Sequence, residues 1–374
     1  MTCNAAIVAV AALLSGAGCG PSVLSDTVTL LRLPEGGRLP SALVDDDGVV
    51  HVVYFQGEPR SGDLLYVKRA PGEADWSEPQ YVNSQAETAV GIGPIDGGQV
   101  ALGADGRLHV VWFKLGRTDF LYTRTDDAGT GFERQFTLAG GEGVEAGPTV
   151  AADREGGVYV FWHTGEPPEA ERAVWTAVSH DNGRTFEPAR PISAAAEGAC
   201  DCCGLRALTE EPGVVHVSYR GAGDNVRRGQ RLLTSRDAGR TFEDIGIDDW
   251  RINACPISTT SLAAGPDGAA VAWENAGQVF LSPVDRLDKL EEALSPDGSA
   301  EWRRKNPAVA VNERGETLLA WGDGPGWQSG GTFHWQLYDA AGRPTDDRGT
   351  GPEIPEGSVA AVVAEPDGGF LVLF

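Results

Sequence analysis

Four cysteines in two groups are the side chains of this sequence best suited to chemistry. Three of them fall within four residues, as Cys200, Cys202 and Cys203, and the fourth is Cys255. A thiolate sulfur is a nucleophile, a redox partner for a second thiol and a ligand for soft metal ions. The grouping therefore predicts disulfide, metal or thiol chemistry at one place in the fold.

The residues leave three interpretations of the cysteines open. In an oxidising compartment four cysteines form two disulfides, one of them joining Cys255 to the group of three and the other a local link from Cys200 to Cys202 or Cys203. The local link would be strained and easily reduced, which makes a metal site worth considering. Thiolates could bind Cu(I) or Zn(II), although the spacing is not that of a zinc ribbon. Free or catalytic thiols are the third interpretation.

A repeated phrase predicts the elements that position these cysteines. Seven times a turn with glycine precedes a short apolar run that ends in an aromatic residue, as in Asp105-Gly106-Arg107-Leu108-His109-Val110-Val111-Trp112. A repeat of roughly 50 residues indicates one supersecondary structure copied around a propeller or along an array. Each copy divides into four short β segments bounded by turn residues, which favours an all-β propeller.

The number of blades follows from counting the copies. Six full copies are followed by a hairpin over Val359–Phe374. We expect seven blades, with the segment Thr27–Leu33 completing the last one, because a closed ring leaves no free sheet edge. Six blades are the alternative, if the hairpin only completes the sixth. The leucines of Val284–Leu294 recur at helical spacing and predict the only good helical stretch.

The register of the copies predicts that the cysteines meet. Cys200–Cys203 leads into the first strand of the fourth copy, and Cys255 precedes the first strand of the fifth. The innermost strands of neighbouring blades start on the same face of a propeller, so the four sulfurs should converge near the mouth of the central channel. Trp and Arg are common anchors of binding sites, although Trp250 could equally pack between blades. Four binding candidates flank this place: Arg206, Trp250, Arg251 and Asn253.

A second repeated signal is the turn Ser-x-Asp-x-Gly-x-x-Phe. It occurs at Ser179–Phe186 and Ser235–Phe242, with a variant at Thr125–Phe132. Short Asp and Ser side chains can hydrogen-bond turn backbone, and glycine adopts a positive φ without penalty. The motif resembles the Asp-box of sialidase-type propellers, in which it is structural. We therefore predict structural roles for three aspartates: Asp127, Asp181 and Asp237.

The resemblance to sialidases extends to one candidate active site. Arg38-Leu39-Pro40 is similar to the Arg-Ile-Pro segment of that family, which implies that Arg38 clamps a substrate carboxylate. The resemblance also implies an acid/base aspartate, for which Asp63 is the candidate, and a nucleophilic tyrosine, for which Tyr338 is the candidate. An exo-sialidase-like glycoside hydrolase is therefore one hypothesis. Further arginines that could join the clamp carry no motif: Arg220, Arg303 and Arg304.

The cysteine segments resemble a more specific group of proteins. Secreted bacterial sialidase-like, or BNR-repeat, proteins share Cys-x-Cys-Cys in one blade, then an Asp-box, then Trp-x-Ile-x-x-Cys-Pro at the start of the next blade. Cys200–Cys203, Ser235–Phe242 and Trp250–Pro256 match this order. The chain departs from the group after each cysteine motif, with Gly204-Leu205 in place of Pro-Thr and Ile257–Thr260 in place of Val-Asn-Gly-Pro. The activity of that group is unsettled, so the resemblance implies fold and export rather than a reaction.

The net charge argues against two classes of partner. The 374 residues carry 54 acidic and 30 basic side chains, which gives a net charge of −24. Nucleic acids and anionic membrane surfaces attract basic patches, so we expect neither to bind this chain. Contact with a membrane is expected only through an N-terminal lipid.

The N-terminus indicates export. The apolar run Ala5–Leu14 is too short to span a bilayer, and the small residues after it end at Cys19, which resembles a bacterial lipobox with Cys19 as the acylated residue. A plain cleaved signal and a misassigned start are the alternatives. We expect a signal peptide over residues 1–19, a linker over 20–26 and a single propeller domain over 27–374, at the cell envelope or secreted.

Three functional hypotheses follow. The first is an exported, lipid-anchored propeller that acts as a binding or scaffold module for a protein or glycan, with the cysteine cluster near the channel mouth. The second is a glycoside hydrolase of sialidase type. The third is a thiolate protein that binds copper or zinc. The sparse match to the sialidase site favours binding over catalysis.

Overall fold

The chain is almost entirely β-structure in the residues that the computed structural model describes, which are 22–23, 27–115, 119–140, 147–165, 167–298, 303–325 and 330–374. These residues contain five single-turn 3-10 helices and no α-helix. Their strands are β1 (Ser22–Val23), β2 (Val28–Leu31), β3 (Arg38–Val44), β4 (Val50–Glu58), β5 (Ser61–Arg69), β6 (Gln80–Tyr81), β7 (Gly98–Leu102), β8 (Leu108–Lys114), β9 (Asp119–Arg124), β10 (Phe136–Gly140), β11 (Thr149–Ala152), β12 (Val158–Thr164), β13 (Ala173–Ser179), β14 (Arg190–Pro191), β15 (Arg206–Glu211), β16 (Val214–Arg220), β17 (Gln230–Ser235), β18 (Glu243–Gly246), β19 (Ser261–Gly265), β20 (Gly268–Asn275), β21 (Gln278–Pro283), β22 (Arg304–Val311), β23 (Thr317–Asp323), β24 (Thr332–Tyr338), β25 (Pro344–Glu353), β26 (Ala361–Ala364) and β27 (Phe370–Leu373).

Seven sheets form the blades of a β-propeller, as the repeat predicted. In chain order the first six are β3–β6, β7–β10, β11–β14, β15–β18, β19–β21 and β22–β25, and the fifth has three strands. The seventh sheet has the order β1-β2-β27-β26. In it β2 runs parallel to β27, with Val28 opposite Phe370 and Leu31 opposite Leu373. The predicted closure of the ring by Thr27–Leu33 is confirmed.

The core lies between neighbouring blades. The second strands of the second, third and fourth blades are buried along nearly their whole length, because each packs against a sheet on either side. One apolar cluster joins Phe161 of the third blade to Tyr219 of the fourth, and another joins Val53 of the first blade to Trp112 of the second. Each blade thus buries its apolar faces only when both neighbours are present.

Two of the three Asp-box turns have the expected form. The Asp181 carboxylate accepts a hydrogen bond from the amide of Thr185 at 2.8 Å, and Asp237 accepts one from the amide of Thr241 at 2.8 Å. In the variant turn the register shifts by one residue, so that Asp126 rather than the predicted Asp127 holds the turn. A threonine four positions after the aspartate sets this register, since its hydroxyl also donates to the carboxylate, and only Asp126 has one there.

The predicted helix over Val284–Leu294 is wrong. The segment forms two 3-10 turns, Val284–Arg286 and Leu290–Glu292, on the outer side of the fifth blade. A stretch this short is marginal as a helix without strong packing. Instead Leu294 exchanges backbone hydrogen bonds of 2.8 and 2.9 Å with Leu281 of β21. The segment therefore occupies the place of a fourth strand.

The N-terminal predictions fall mainly outside the described residues. The signal peptide, the lipobox and Cys19 all lie there, whereas Ser22–Val23 of the expected linker forms β1. Among the described residues no helix is long and apolar enough to cross a membrane.

Candidate functional site

Both cysteine segments are loops that end at innermost strands. Cys200–Cys203 lies between β14 and β15, and Cys255 lies between β18 and β19. We use the name upper face for the side of the propeller on which the innermost strands begin. The two loops are neighbours on this face because they belong to the fourth and fifth blades.

The four cysteines lie close together, as the blade register predicted. The Sγ atom of Cys200 is 3.3 Å from that of Cys202 and 3.4 Å from that of Cys203. The three sulfurs all lie within 4.8 Å of one another, and we call these three residues the thiol triad. The Cys255 sulfur lies within 4.8 Å of the Cys202 sulfur and of a carboxylate oxygen of Glu169. All four cysteines are free thiols in this structure.

Burial differs across the cluster. Cys200 and Cys203 are 1% and 2% exposed, Cys202 is half-buried, and Cys255 is exposed. The thiol triad is thus a compact interior group, while Cys255 approaches it from the solvent side.

Backbone hydrogen bonds hold the triad loop. The Cys200 amide donates to the Arg220 carbonyl at 3.0 Å, and the Gly204 amide donates to the Ser258 carbonyl at 3.1 Å. Gly198 starts the loop with a φ of +59°, and a Cβ at that position would lie 2.8 Å from the Glu169 carbonyl oxygen. Only glycine fits there without strain, so Gly198 determines where the loop turns.

Two buried arginines lie beside the thiols. Arg220 donates to the Arg228 carbonyl at 2.7 Å and to a Glu274 carboxylate oxygen at 3.2 Å. Arg228 pairs with Glu169 at 2.5 Å, whereas its Nη1 atom has no hydrogen-bond partner among the described residues. A third ion pair, between Arg172 and Asp201, covers the loop. Each of the three arginines is thus paired with a carboxylate, so the charges around the cluster balance.

The pKa values of two of these thiols are shifted in opposite directions. Burial alone would raise the pKa of Cys203, but hydrogen bonds from Cys200 and Cys202 and the charge of Arg220 lower that pKa well below its usual value. The hydrogen bond between Cys200 and Cys202 lowers the pKa of Cys200, yet the bond to Cys203 and burial outweigh it and the pKa is raised. The triad thus favours one thiolate, at Cys203, which accepts a hydrogen bond from the Cys200 thiol.

The predicted binding residues are spread around this cluster. Trp250 is half-buried, with its ring centroid 5.1 Å from the Arg220 guanidinium carbon, so it packs on a structural arginine. Arg251 and Asn253 are exposed on the same loop as Cys255. Arg206 lines the central channel.

Sequence reasoning missed three residues that surround the thiols. Glu169 and Arg172 come from the loop after β12, and Arg228 comes from the loop before β17. Nothing in their local sequence marks them, because they reach the cysteines only through the meeting of the third and fourth blades. His163 is a further member, and its Nε2 atom lies 2.8 Å from the Cys200 carbonyl oxygen.

The structure does not bring the three sialidase-type candidates together. Arg38 begins β3, and Asp63 lies near the start of β5, so both are toward the upper face. Asp63 accepts hydrogen bonds from the Asn83 amide group at 2.6 Å and the Glu87 backbone at 2.7 Å. Tyr338 ends β24 opposite Thr317, next to the lower ends of the innermost strands, and is 2% exposed. Arg38 and Tyr338 therefore lie toward opposite faces.

Comparisons with known proteins establish the fold. No family model and no curated protein matches the sequence. The GH93 α-L-arabinofuranosidase of Fusarium graminearum, in complex with arabinobiose, is similar with a TM-score of 0.52 and 11% identity, over 76% of this chain and 88% of that chain. The fucose-specific lectin from Aleuria aurantia gives a TM-score of 0.50 and 11% identity, over 86% and 97%. A Hadza microbial sialidase gives 0.49 and 12%, over 76% and 63%. The chain is thus a propeller similar in fold to an arabinofuranosidase and to a lectin.

Proposed function

We propose that this protein is an exported binding propeller whose upper face holds a soft metal ion, Cu(I) in preference to Zn(II), at the thiol triad. The observation that carries the proposal is the approach of three cysteine sulfurs to within 4.8 Å of one another. Soft thiolate ligands select Cu(I), Zn(II) and iron–sulfur clusters in proteins. Each thiol releases its proton on binding, so three thiolates around one Cu(I) ion carry a net charge of −2.

Two buried arginines beside the thiols support such a site. A buried anionic centre is costly unless cations or hydrogen-bond donors surround it. Arg220 and Arg228 are 3% and 4% exposed, and both lie close enough to the thiols for the charges to interact. The unpartnered Nη1 atom of Arg228 supplies a donor that a thiolate centre would satisfy.

The ligand set favours Cu(I) over Zn(II). Structural Zn(II) sites have four ligands in a tetrahedron, whereas three buried sulfurs suffice for a soft monovalent ion. Cys255 and Glu169 lie near Cys202 alone rather than near the whole triad, and Cys255 is exposed. Cys255 or Glu169 would become a ligand only in a four-coordinate site of the kind that Zn(II) requires.

A metal competition experiment tests this proposal. The full chain, purified under reducing and anaerobic conditions, should take one Cu(I) ion from the chromogenic chelator bicinchoninate. Loss of an outer-shell partner costs a metal site about 10- to 100-fold in affinity, so Cys200→Ser and Cys203→Ser, which remove ligands, should cost at least about 100-fold. Cys255→Ser is the matched control and should retain the affinity of the unaltered chain.

Two results would refute the Cu(I) site. Equal losses in Cys255→Ser and Cys200→Ser, together with tighter binding of Zn(II), would indicate a four-ligand zinc site. Alkylation of the non-reduced protein that detects no free thiol would instead support the disulfide interpretation.

Export and a lipid anchor at Cys19 are part of the proposal. They are supported by the apolar run Ala5–Leu14 and the small residues before Cys19. In an oxidising compartment, disulfide formation would compete with metal binding for the thiols of the triad.

Glycan binding is the second candidate function. It is supported by the fold shared with a fucose-specific lectin and an arabinofuranosidase, and by the exposed polar residues Arg251 and Asn253 beside Trp250. A glycan array probed with the full chain and with Arg251→Ala and Asn253→Ala tests it. The candidate fails if no glycan binds, or if both variants bind like the unaltered chain. Hydrolysis of sialosides is less favoured, because Arg38 and Tyr338 lie toward opposite faces.

A further inference from the structure

The innermost strands enclose a central channel of about 510 Å³ that is separate from the thiol triad. Small and neutral side chains, mostly Ser, Thr, Ala, Val and Pro, make up most of its wall. Arg206 begins β15 and therefore lies toward the upper end. The other charged side chains of the wall lie at the lower ends of the innermost strands: Asp153, Arg154, Glu210 and Glu211.

Arg206 is a cation without an anion. Among the described residues its guanidinium makes no ion pair, and its hydrogen bond runs from Nη1 to the Leu205 carbonyl oxygen at 2.9 Å. Burial lowers the pKa of Arg206 to about 10, with no opposite charge to offset it. Arg154, at the other end of the same channel, pairs with Asp46 at 2.8 Å. Arg206 is half-buried in the channel wall and has no opposite charge beside it among the described residues, so it is suited to binding an anion from outside the chain.

The channel wall also supplies neutral hydrogen-bond donors. The hydroxyl oxygens of Ser41 and Ser261 accept bonds of 3.1 Å from the amides of Val100 and Val309 in the next blade. Both serines line the channel, and neither hydroxyl donates a hydrogen bond to another described residue. Gly204 keeps space beside the guanidinium, since a Cβ there would lie 3.3 Å from Arg206 Nη1.

We propose that the central channel binds the oxyanion group of a sugar-sized molecule, a carboxylate or a phosphate, at Arg206. A guanidinium holds either group through two parallel hydrogen bonds. The volume lies within the range of about 300–1,000 Å³ that small-molecule sites occupy. This site does not depend on the cysteines or on metal binding.

Titration calorimetry with three matched probes tests the proposal. Glucuronate and glucose 6-phosphate carry the two oxyanions on the same ring as neutral glucose. At least one charged sugar should bind the full chain with one site, and glucose should bind at least about 10-fold more weakly, as expected when a charge-assisted pair is lost. Whichever charged sugar binds more tightly identifies the oxyanion.

Variants decide whether Arg206 is responsible. Arg206→Met should abolish binding of the charged sugar, and Arg206→Lys, which keeps the charge but not the paired donors, should weaken it about 10-fold. Arg154→Met is the matched control, because it removes an arginine that already has a partner. The proposal is overturned if neither charged sugar binds, if glucose binds equally well, or if Arg206→Met or Arg206→Lys binds like the unaltered chain. Cys200→Ser should bind the sugar normally, which separates this site from the metal proposal.

Discussion

Replacing Arg206 by methionine should stabilise the sugar-free protein. Burial lowers the pKa of Arg206 to about 10, so the folded state disfavours the charged form. A change of one in pKa corresponds to about 1.4 kcal/mol, and the lowering from 12.5 to about 10 therefore corresponds to at most about 3.5 kcal/mol. Solvent that enters the channel reduces this, and we expect a gain of about 1–3 kcal/mol. Methionine keeps most of the apolar stem, so little packing is lost.

The sign of the effect depends on pH in a defined way. Because the pKa is lower in the folded state, the unfavourable contribution is complete below pH 10 and disappears only above the ordinary arginine pKa. A comparison at pH 7 therefore measures the whole effect.

Thermal unfolding at pH 7, in a buffer without carboxylate or phosphate, is the appropriate assay. At about 2 °C per kcal/mol for a chain of this size, the midpoint of Arg206→Met should rise by about 2–6 °C. Addition of the charged sugar should raise the midpoint of the unaltered chain and leave that of the variant unchanged. A midpoint for Arg206→Met equal to or below that of the unaltered chain would show that Arg206 already has a partner in solution, and the reasoning would fail.

Three further changes probe the fold, the buried ion pair and export. Asp237→Ala removes the hydrogen bonds to the backbone and hydroxyl of Thr241 and should lower the free energy of unfolding, measured in urea, by about 1–2 kcal/mol. Because these bonds lower the pKa of Asp237 to about 2, the difference between variant and unaltered chain should shrink as the pH falls from 4 to 2. A difference that stays constant over this range would contradict the prediction. Glu274→Gln leaves Arg220 without its buried carboxylate and should cost about 3 kcal/mol, visible as a lower unfolding midpoint, whereas an unchanged midpoint would show that Arg220 needs no charged partner. Cys19→Ser should abolish incorporation of labelled palmitate during expression in bacteria, and retained label would place the lipid elsewhere.

The fold could be predicted from the sequence because the repeat carries the same information seven times. Gly106 and Trp112 mark a turn and a buried strand end, and each copy repeats a turn glycine followed by a strand that ends in an aromatic residue, at intervals of roughly 50 residues. The error over Val284–Leu294 has a local cause. The leucines are three and four residues apart, as on one side of a helix, but a pair three apart also faces one side of a 3-10 turn. Their spacing therefore did not distinguish a helix from 3-10 turns that pack against β21.

The candidate site could be predicted only in part. The meeting of the cysteines followed from blade register, since Cys203 and Cys255 each precede an innermost strand. The charged residues around them could not be predicted, because Arg228 and Glu169 come from loops whose path no motif specifies. That Arg206 has no ion-pair partner among the described residues could not be predicted either, because only the three-dimensional structure shows which carboxylates lie near it.

Both candidate sites lie near the start of the fourth blade, and each contains an arginine that can donate to a ligand. Within the repeat, side chains pair with each other or with backbone, as Asp181 does with Thr185 and Ser41 with the next blade. Exceptions among the described residues include the Tyr54 hydroxyl, the Trp321 indole nitrogen and, before β17, the Nη1 atom of Arg228. Arg206, at the start of β15, is half-buried and donates to the Leu205 carbonyl oxygen, but it has no ion pair among the described residues. What distinguishes these two arginines is their place, since Arg228 lies close enough to the thiols to interact with them and Arg206 lines an open channel. Each can therefore donate to an acceptor that a ligand provides.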